Sequence, residues 1–498
     1  MRIRRASLNE LARLAHDFPR SFVVLGDAVL WLEADDGRKQ LAVLADPASP
    51  VLQPFAGVEQ TFGEGYVVRC CATDAATARA LRDTLPWLRP VPLGLTTSAG
   101  CGDRLGLTTP GHVRALHTVL ADAPRRTIAP IFAQQSIREM GRTCRTPVDV
   151  LTDATWGAFQ AGWRGTLGAD ADHLKTTADI DATVTAGFSF FTIDPGAYVD
   201  DEADGASTAG IRRKVEALPW TELESDPRVL RLYVGLRVEL EDRSITLGEE
   251  VAMRAAAKYG AAIAHAARMY RHLAGKHVPF DLEISVGETA SPTTHQEHIF
   301  FVQKLRRLGV QGISLAPRYT GRFEKGVDYI GNLDALRTDL AGHAAIARAL
   351  GPYKLSLHSS SDKFSVYPVI AEVARGLVHL KTAGTSYLEA LRLVARIDPP
   401  FFRELLAFAH ERYAEDRASY HVWADLARVP APEDVSDEQL PGHLEAFDAR
   451  QVLHVTFGSA RARFRPRLFE LLRANEETYA ETVSRHFVRH LRPFVRTG

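Results

Sequence analysis

The chain has 498 residues, 46% of them hydrophobic, and its 60 basic and 61 acidic side chains leave a formal net charge of −1. That length allows about three average domains or one large α/β barrel with flanking elements, and the charge balance offers no field for nucleic acid or an anionic membrane. Four cysteines, Cys70, Cys71, Cys101 and Cys144, are too few and too scattered for a disulfide framework or a CxxC metal site. No apolar run approaches the eighteen or so residues of a membrane span, and the basic N-terminus lacks the apolar stretch of a secretory signal. A cytoplasmic protein with reduced thiols is expected, beginning with a short amphipathic helix that has Leu8, Leu11, Leu14 and Ala15 on one face.

Residues 1–90 read as a small α+β subdomain. Ser21 to Leu32 and Lys39 to Leu44 are strand-like runs around the polar turn 33–37, Tyr66 to Cys71 is a further strand, and Ala75 to Leu85 is an alanine-rich helix. Reactive groups are not concentrated here, so the expected role is structural. From residue 91 the pattern becomes repetitive. Leu93 to Thr97 is the first expected strand of a series, followed by Ile128 to Gln134, Asp172 to Lys175, Phe188 to Asp194, Phe280 to Val286, Gln311 to Ala316, Tyr353 to His358 and Val378 to Thr382. Helical segments separate most of them: one opening at the N-cap Thr176 with Asp179 three residues on, then Leu247 to Ala274, Glu297 to Leu308, Leu333 to Leu350 and Val369 to Arg375. Eight strands alternating with helices predict a (β/α)8 TIM-like barrel over 91–385, a doubly wound open sheet being the alternative. An acidic insert near 199–243, carrying Trp220, reads as a surface excursion or partial lid, and 386–498 as a helical C-terminal extension.

In a parallel barrel, chemistry sits where the carboxyl ends of the strands converge. Asp172 and His173 end the third strand. Neighbouring strand residues face opposite ways, so both reach the mouth only where the chain bends. The plain alternative is a helix-capping Asp beside a backbone-bonded His. His358 ends the seventh strand on the same rim, and imidazoles from separate strand ends suit a divalent cation such as zinc, nickel, manganese, iron or cobalt. A carboxylate, Glu283, Glu288 or Glu324, or a further imidazole, His298, completes the set; the ligand pair has no HxxxH spacing. Glu283 and Lys381 are ionisable residues within apolar strands, costly there unless paired or functional. They read either as a buried ion pair or as an acid or base tuned by burial. Arg104, Arg138 and Arg318 follow predicted strands, where a guanidinium can grip a carboxylate bidentately. Arg318 is the favoured substrate contact, with Gln134 and Lys381 at the ends of the second and eighth strands. Gly100, Gly102 and Gly106 form no GxGxxG, and the chain has neither a P-loop nor a GxSxG elbow.

GADADHLKT with GFSFFTIDPG, FAQQSIREM, TPVDVLTDATWGAFQAGW, LAPRYTGRFEKGVDYIGN, LSLHSSSDKFSVYP, HLKTAGTSYLEALR and YHVWADLA occur in one order, and together the stretch from about Pro92 to Gly458 resembles the tagaturonate/fructuronate epimerase family. The resemblance implies a metal-dependent barrel enzyme of hexuronate breakdown that interconverts the ketouronates D-tagaturonate and D-fructuronate. It implies one divalent cation held by His173 and His358, Asp172 as base and Glu283 as its acid partner; the third ligand stays open. One departure is Gly287 in VGET, where the family tends to carry an acid.

Those two ketouronates differ at one carbon, two bonds from both ketone and carboxylate, so its C–H is not acidic. Transient oxidation needs a nicotinamide, for which there is no fingerprint. Retro-aldol cleavage needs a cation on the ketone and two proton carriers, which the residues offer. A metal-dependent aldose–ketose isomerase and a non-catalytic sugar-binding barrel are the other readings. The expected partner is a small ketouronate, without nucleic acid or membrane, in a possible homo-oligomer.

Overall fold

Five antiparallel strands come first: β1 (Val23–Leu25), β2 (Ala28–Asp35), β3 (Arg38–Ala45), β4 (Val58–Phe62) and β5 (Tyr66–Ala72), arranged β1-β2-β3-β5-β4. This computed structural model describes residues 12–35, 37–63, 65–123, 127–358, 362–382, 384–420 and 422–496. Leu8 and Leu11 of the expected N-terminal helix lie outside them, and Ala12–Ala15 form a 3-10 turn. The single strand expected over Ser21–Leu32 is divided, because Gly26 adopts φ +62° and turns the chain back so that Leu25 pairs with Ala28. The exposed edge strand β4 has a polar middle, Glu59-Gln60-Thr61, and was not anticipated from the sequence. Helix α1 (Ala75–Thr84) follows, capped by Asp74, whose side chain accepts from the Thr77 N–H.

The next strands are β6 (Ser98–Gly100), β7 (Ala129–Ser136), β8 (Gly168–Leu174) and β9 (Phe190–Ile193). A two-stranded hairpin, β10 (Arg237–Glu239) and β11 (Ser244–Thr246), lies in the insert. Then come β12 (Asp281–Ser285), β13 (Ser314–Ala316), β14 (Lys354–His358) and β15 (Val378–Lys381). The eight strands outside the hairpin close, all parallel, into a barrel ordered β12-β13-β14-β15-β6-β7-β8-β9, so the chain forms the predicted (β/α)8 barrel rather than an open sheet. One strand moves. Leu93 and Gly94, expected to open the barrel, turn instead: Gly94 has φ +54°, and both N–H groups donate to Asp281 Oδ2 at 2.6 and 3.0 Å. The strand therefore starts only at Ser98.

The helices are α2 (Thr109–Asp122), α3 (Ile137–Thr143), α4 (Pro147–Gln160), α5 (Thr177–Ala186), α6 (Thr208–Glu216), α7 (Glu249–Ala274), α8 (His295–Arg307), α9 (Leu333–Ala349), α10 (Tyr367–Ala374) and α11 (Thr385–Ile397), followed in the C-terminal part by α12 (Pro399–Asp416), α13 (Phe447–Val455), α14 (Phe457–Ala474) and α15 (Glu476–Arg496). Capping boxes at Thr146/Asp149, Thr176/Asp179 and Thr294/Glu297 fix three of the starts. The last box begins α8 at His295, two residues before the expected Glu297, because Thr294 and not a later residue supplies the cap. α15 lies along α2 and also meets α10 and α11, which ties the C-terminus to the barrel. One continuous apolar cluster runs from Leu30 in β2 to Phe494 in α15. Among the described residues no helix is long and apolar enough to cross a membrane.

Candidate active site

The strand β8 loses its regular pairing just before it ends. Its register against β9 shifts between Ala171 and Leu174, and His173 takes a left-handed backbone at φ +56°. This bulge lets consecutive residues serve one site where a flat strand would part them. Asp172 Oδ1 and His173 Nδ1 come to 2.8 Å and form a buried ion pair. The His358 ring lies 5.1 Å from that of His173. Asp172, His173 and His358 each offer one ligand atom, all within 4.8 Å of one another. Two imidazoles and a carboxylate converging in this way are a donor set that fits a borderline divalent cation.

Beneath them the barrel interior is polar. Lys381 Nζ sits 2.7 Å from Asp172 Oδ1, 3.0 Å from Asp170 Oδ2 and 3.1 Å from Glu283 Oε1, with Thr192 Oγ1 at 2.5 Å. Glu283 also accepts from Ser314 Oγ at 2.6 Å and meets His358 Nε2 at 2.6 Å. The sequence reading of Glu283 and Lys381 as a buried pair thus describes part of a larger cluster. Burial alone would raise the Asp172 carboxyl, but His173 and Lys381 outweigh it and hold it well below the usual range. Glu283 is likewise held low against its burial by Lys381 and His358. His173 would be lowered by burial, yet Asp172 lifts it to about 9. Three carboxylates share one ammonium, with the raised His173 as a second cationic partner of Asp172.

Above the cluster opens a cavity of about 590 Å³ at the carboxyl ends of the strands. Arg138, Arg318, Arg322 and Lys325 give it a basic wall, and Tyr420 and Trp423 close it from the C-terminal part. Asp201 brings the insert to the same rim, with its carboxylate 3.0 Å from the Ala290 nitrogen. Arg318 is on this wall as expected, though one of its nitrogens is committed to the Thr289 carbonyl. Gln134 lies under it and donates to Asp172 Oδ2 at 3.1 Å. Glu288 lines the cavity, and His173, Lys325 and Arg138 overcome its burial to hold its carboxyl down to about 2. Glu324 is also at the wall and accepts from Gln451 at 2.9 Å.

Two expectations are corrected. His298 does not join His173 and His358: it is fully buried on α8, with Nδ1 2.8 Å from His343 Nδ1 and Nε2 2.8 Å from Tyr353 Oη, so both nitrogens are taken. Arg104 does not line the cavity. It is buried against Glu139 with its guanidinium 3.9 Å over the Phe457 ring. The sequence reading missed Asp170 and His379, inward residues two places before Asp172 and Lys381, which the period of a strand would have revealed. It also missed His486 and His490, whose four-residue spacing on α15 brings both Nε2 atoms to Asp362 Oδ1 at 2.8 and 3.1 Å. Residues 359–361, the start of the polar run after His358, lie outside the described residues.

A family model for tagaturonate epimerase matches residues 18–494. The tagaturonate/fructuronate epimerase of Thermotoga maritima is 42% identical over 463 residues, 93% of each chain. The fructuronate–tagaturonate epimerase UxaE of Cohnella laeviribosi, in a glycerol-complexed and a native crystal structure, is 33% identical with TM-score 0.88 over 99% of each chain.

Proposed function

The chain belongs to the tagaturonate epimerase family and is an epimerase, and on that premise we propose that it interconverts D-tagaturonate and D-fructuronate by breaking and remaking a carbon–carbon bond in the cavity at the barrel mouth. The observation that carries this reading is the Asp172–Lys381–Glu283 chain beneath two imidazoles and a basic wall. The wall suits a substrate that ends in a carboxylate. A divalent cation held by His173 and His358 with a carboxylate beside them would, when bound, polarise the substrate ketone.

Asp172, kept ionised by its neighbours, takes the proton of the hydroxyl on the carbon to be inverted. As the adjacent carbon–carbon bond breaks, its electron pair passes into the enediolate of the ketone-bearing fragment, and the hydroxyl carbon becomes an aldehyde. The cavity volume falls in the range of small-molecule sites and leaves room for the aldehyde to turn. The enediolate then adds to the other face, and the proton returns to the new alkoxide from the chain in which Lys381 touches both Asp172 and Glu283. Gln134 orients Asp172 through its amide. Glu283 is thus a partner in relaying the proton rather than a protonated acid in the resting site.

The test is direct. D-tagaturonate incubated with the purified enzyme is followed by NMR, with Asp172→Asn and His173→Ala alongside. Formation of D-fructuronate that both variants abolish supports the reading. No conversion, or full conversion by both variants, overturns it.

A further inference from the structure

Outside the barrel wall, between α8 and α9, stands a second group of imidazoles that the proposed reaction does not use. His295 is the first residue of α8, and Asp339 and His343 lie one turn apart on α9. His343 Nε2 is 3.5 Å from Asp339 Oδ1, and His295 Nε2 is 3.7 Å from the same oxygen and donates to the Asp339 carbonyl at 3.1 Å, a hydrogen bond that a cation would replace. Each of the three residues offers one ligand atom within 4.8 Å of the other two. First-row cations bind such ligands at about 2.0–2.2 Å, which sets tetrahedral ligand atoms roughly 3.3 Å apart. The two spacings to Asp339 Oδ1 are slightly wider than that and the third lies within 4.8 Å, so a cation fits among them once the side chains contract around it.

The second observation is an orphan. His343 is fully buried, and its Nε2 has no hydrogen-bond partner. Its other nitrogen is engaged by His298, which in turn meets Tyr353. Protons can run along this chain in two ways. If His343 donates from Nδ1 to His298, and His298 from Nε2 to the tyrosine oxygen, His343 presents a bare lone pair toward Asp339 and His295. In the reverse order it buries an N–H whose acceptor, Asp339 Oδ1 at 3.5 Å, stands at the limit of a hydrogen bond. The bare lone pair of the first order is costly alone, and a cation removes that cost. A ligating histidine that passes its other N–H to a fixed partner is the usual support for such a site. His298, once a candidate ligand at the mouth, is that partner here.

Asp339 is also held ready: its Oδ2 accepts the Thr320 N–H at 2.9 Å. His295 and Asp339 retain 22% and 17% side-chain exposure, which leaves an entry path. The opposing charge is Arg243 from the insert, which stands near the His295 ring beside Gly342. At 41% exposure its repulsion is screened by solvent.

We propose that His295, Asp339 and His343 form a second divalent-cation site of the zinc class on the barrel exterior, separate from the group at the mouth. The ion joins α8 to α9 and, through Asp339 and Thr320, braces the loop that carries Arg318 along the cavity.

The full-length protein, stripped by a chelator, loaded with zinc chloride and desalted, keeps two zinc equivalents by elemental analysis. His295→Ala and Asp339→Asn, measured separately and checked by circular dichroism, each keep one fewer. Asparagine preserves the acceptor for Thr320, so that variant retains the local fold. A His173→Ala/His358→Ala double variant reports the mouth independently. Folded His295→Ala and Asp339→Asn proteins that keep the whole wild-type complement overturn the proposal. So does a wild-type protein holding a single equivalent that only the mouth variant loses. A single equivalent lost in His295→Ala but kept in the mouth variant supports the exterior site and counts against the mouth.

Discussion

Lys381 Nζ lies 2.7 Å from Asp172 Oδ1 and reaches across the barrel to Glu283 and Asp170, so one ammonium holds three buried carboxylates. Removing it leaves those charges without their cation. Lys381→Met is expected to cost about 3–5 kcal/mol in stability and to lower kcat by at least about a hundredfold through loss of the proton relay. Chemical denaturation and steady-state kinetics measure the two effects separately. A variant with wild-type values of both would remove Lys381 from the proposed chemistry.

The donor set at the mouth predicts dependence on a divalent cation. Exhaustive chelation is expected to abolish turnover, and added Zn2+, Ni2+ or Mn2+ to restore it. His173→Ala and His358→Ala should each lose both bound metal and recovery. Full activity in the chelated enzyme, with its metal content shown to be nil, would place the Lewis acid elsewhere.

On the proposed reading, Arg318 grips the substrate carboxylate with what is left of its guanidinium after the Thr289 carbonyl is served. Lysine cannot do both, because it lacks the fork. Arg318→Lys is expected to raise KM for tagaturonate roughly tenfold, the size of one charge-assisted hydrogen bond, while binding of the uncharged ketohexose tagatose changes little. Equal losses for both sugars would give the carboxylate to Arg138 or Lys325 instead.

His112 on α2 is fully buried 4.1 Å from the Phe487 ring of α15, and burial lowers it to about 3. Its folded pKa lies below the unfolded value near 6.5, so the unfolded chain takes up a proton first as pH falls. The native state therefore loses stability between about pH 6.5 and pH 3. For this one residue the loss between pH 7 and pH 5 is on the order of 2 kcal/mol. Among the described residues neither ring nitrogen has a hydrogen-bond partner, so phenylalanine can take its place. His112→Phe should flatten the fall in melting temperature over that interval, and an unchanged slope would show that His112 is not what titrates.

The barrel was legible because its strands and helices alternate with clear caps, and because GADADHLKT and its companions carry a family pattern. The mouth was legible to the extent that it is built from strand ends, as His358 and Lys381 are. Asp172 and His173 required a bulge that no period announces; only the left-handed backbone of His173 brings both to one side. Leu93 and Gly94 failed as a strand because a carboxylate 188 residues away caps their nitrogens. His298 failed as a ligand because a helix carries it behind the wall, and sequence order says nothing about which face of α8 meets α9. Tertiary partners decided each of these positions.

The proposed mechanism makes the sharpest prediction: hydrogen on the inverted carbon is expected not to exchange with solvent. A C–H two bonds from both carbonyl groups has no resonance outlet for its electrons, whereas the neighbouring carbon–carbon bond breaks to an enediolate. On that proposal Asp172 handles only a hydroxyl proton, and the carbon keeps its own hydrogen through cleavage, rotation and re-addition. Running the reaction to equilibrium in deuterated water and reading that carbon by NMR should show protium alone. Deuterium there would end the carbon–carbon cleavage account and restore direct proton transfer. Protium is also consistent with hydride transfer by a tightly held nicotinamide, so the absorbance of the purified enzyme in the nicotinamide band is read in the same experiment. No band is expected. Trapping separates the two routes further, because only cleavage releases an aldehyde fragment. Borohydride added during turnover should reduce that fragment to its alcohol, and its absence after many turnovers would count against cleavage.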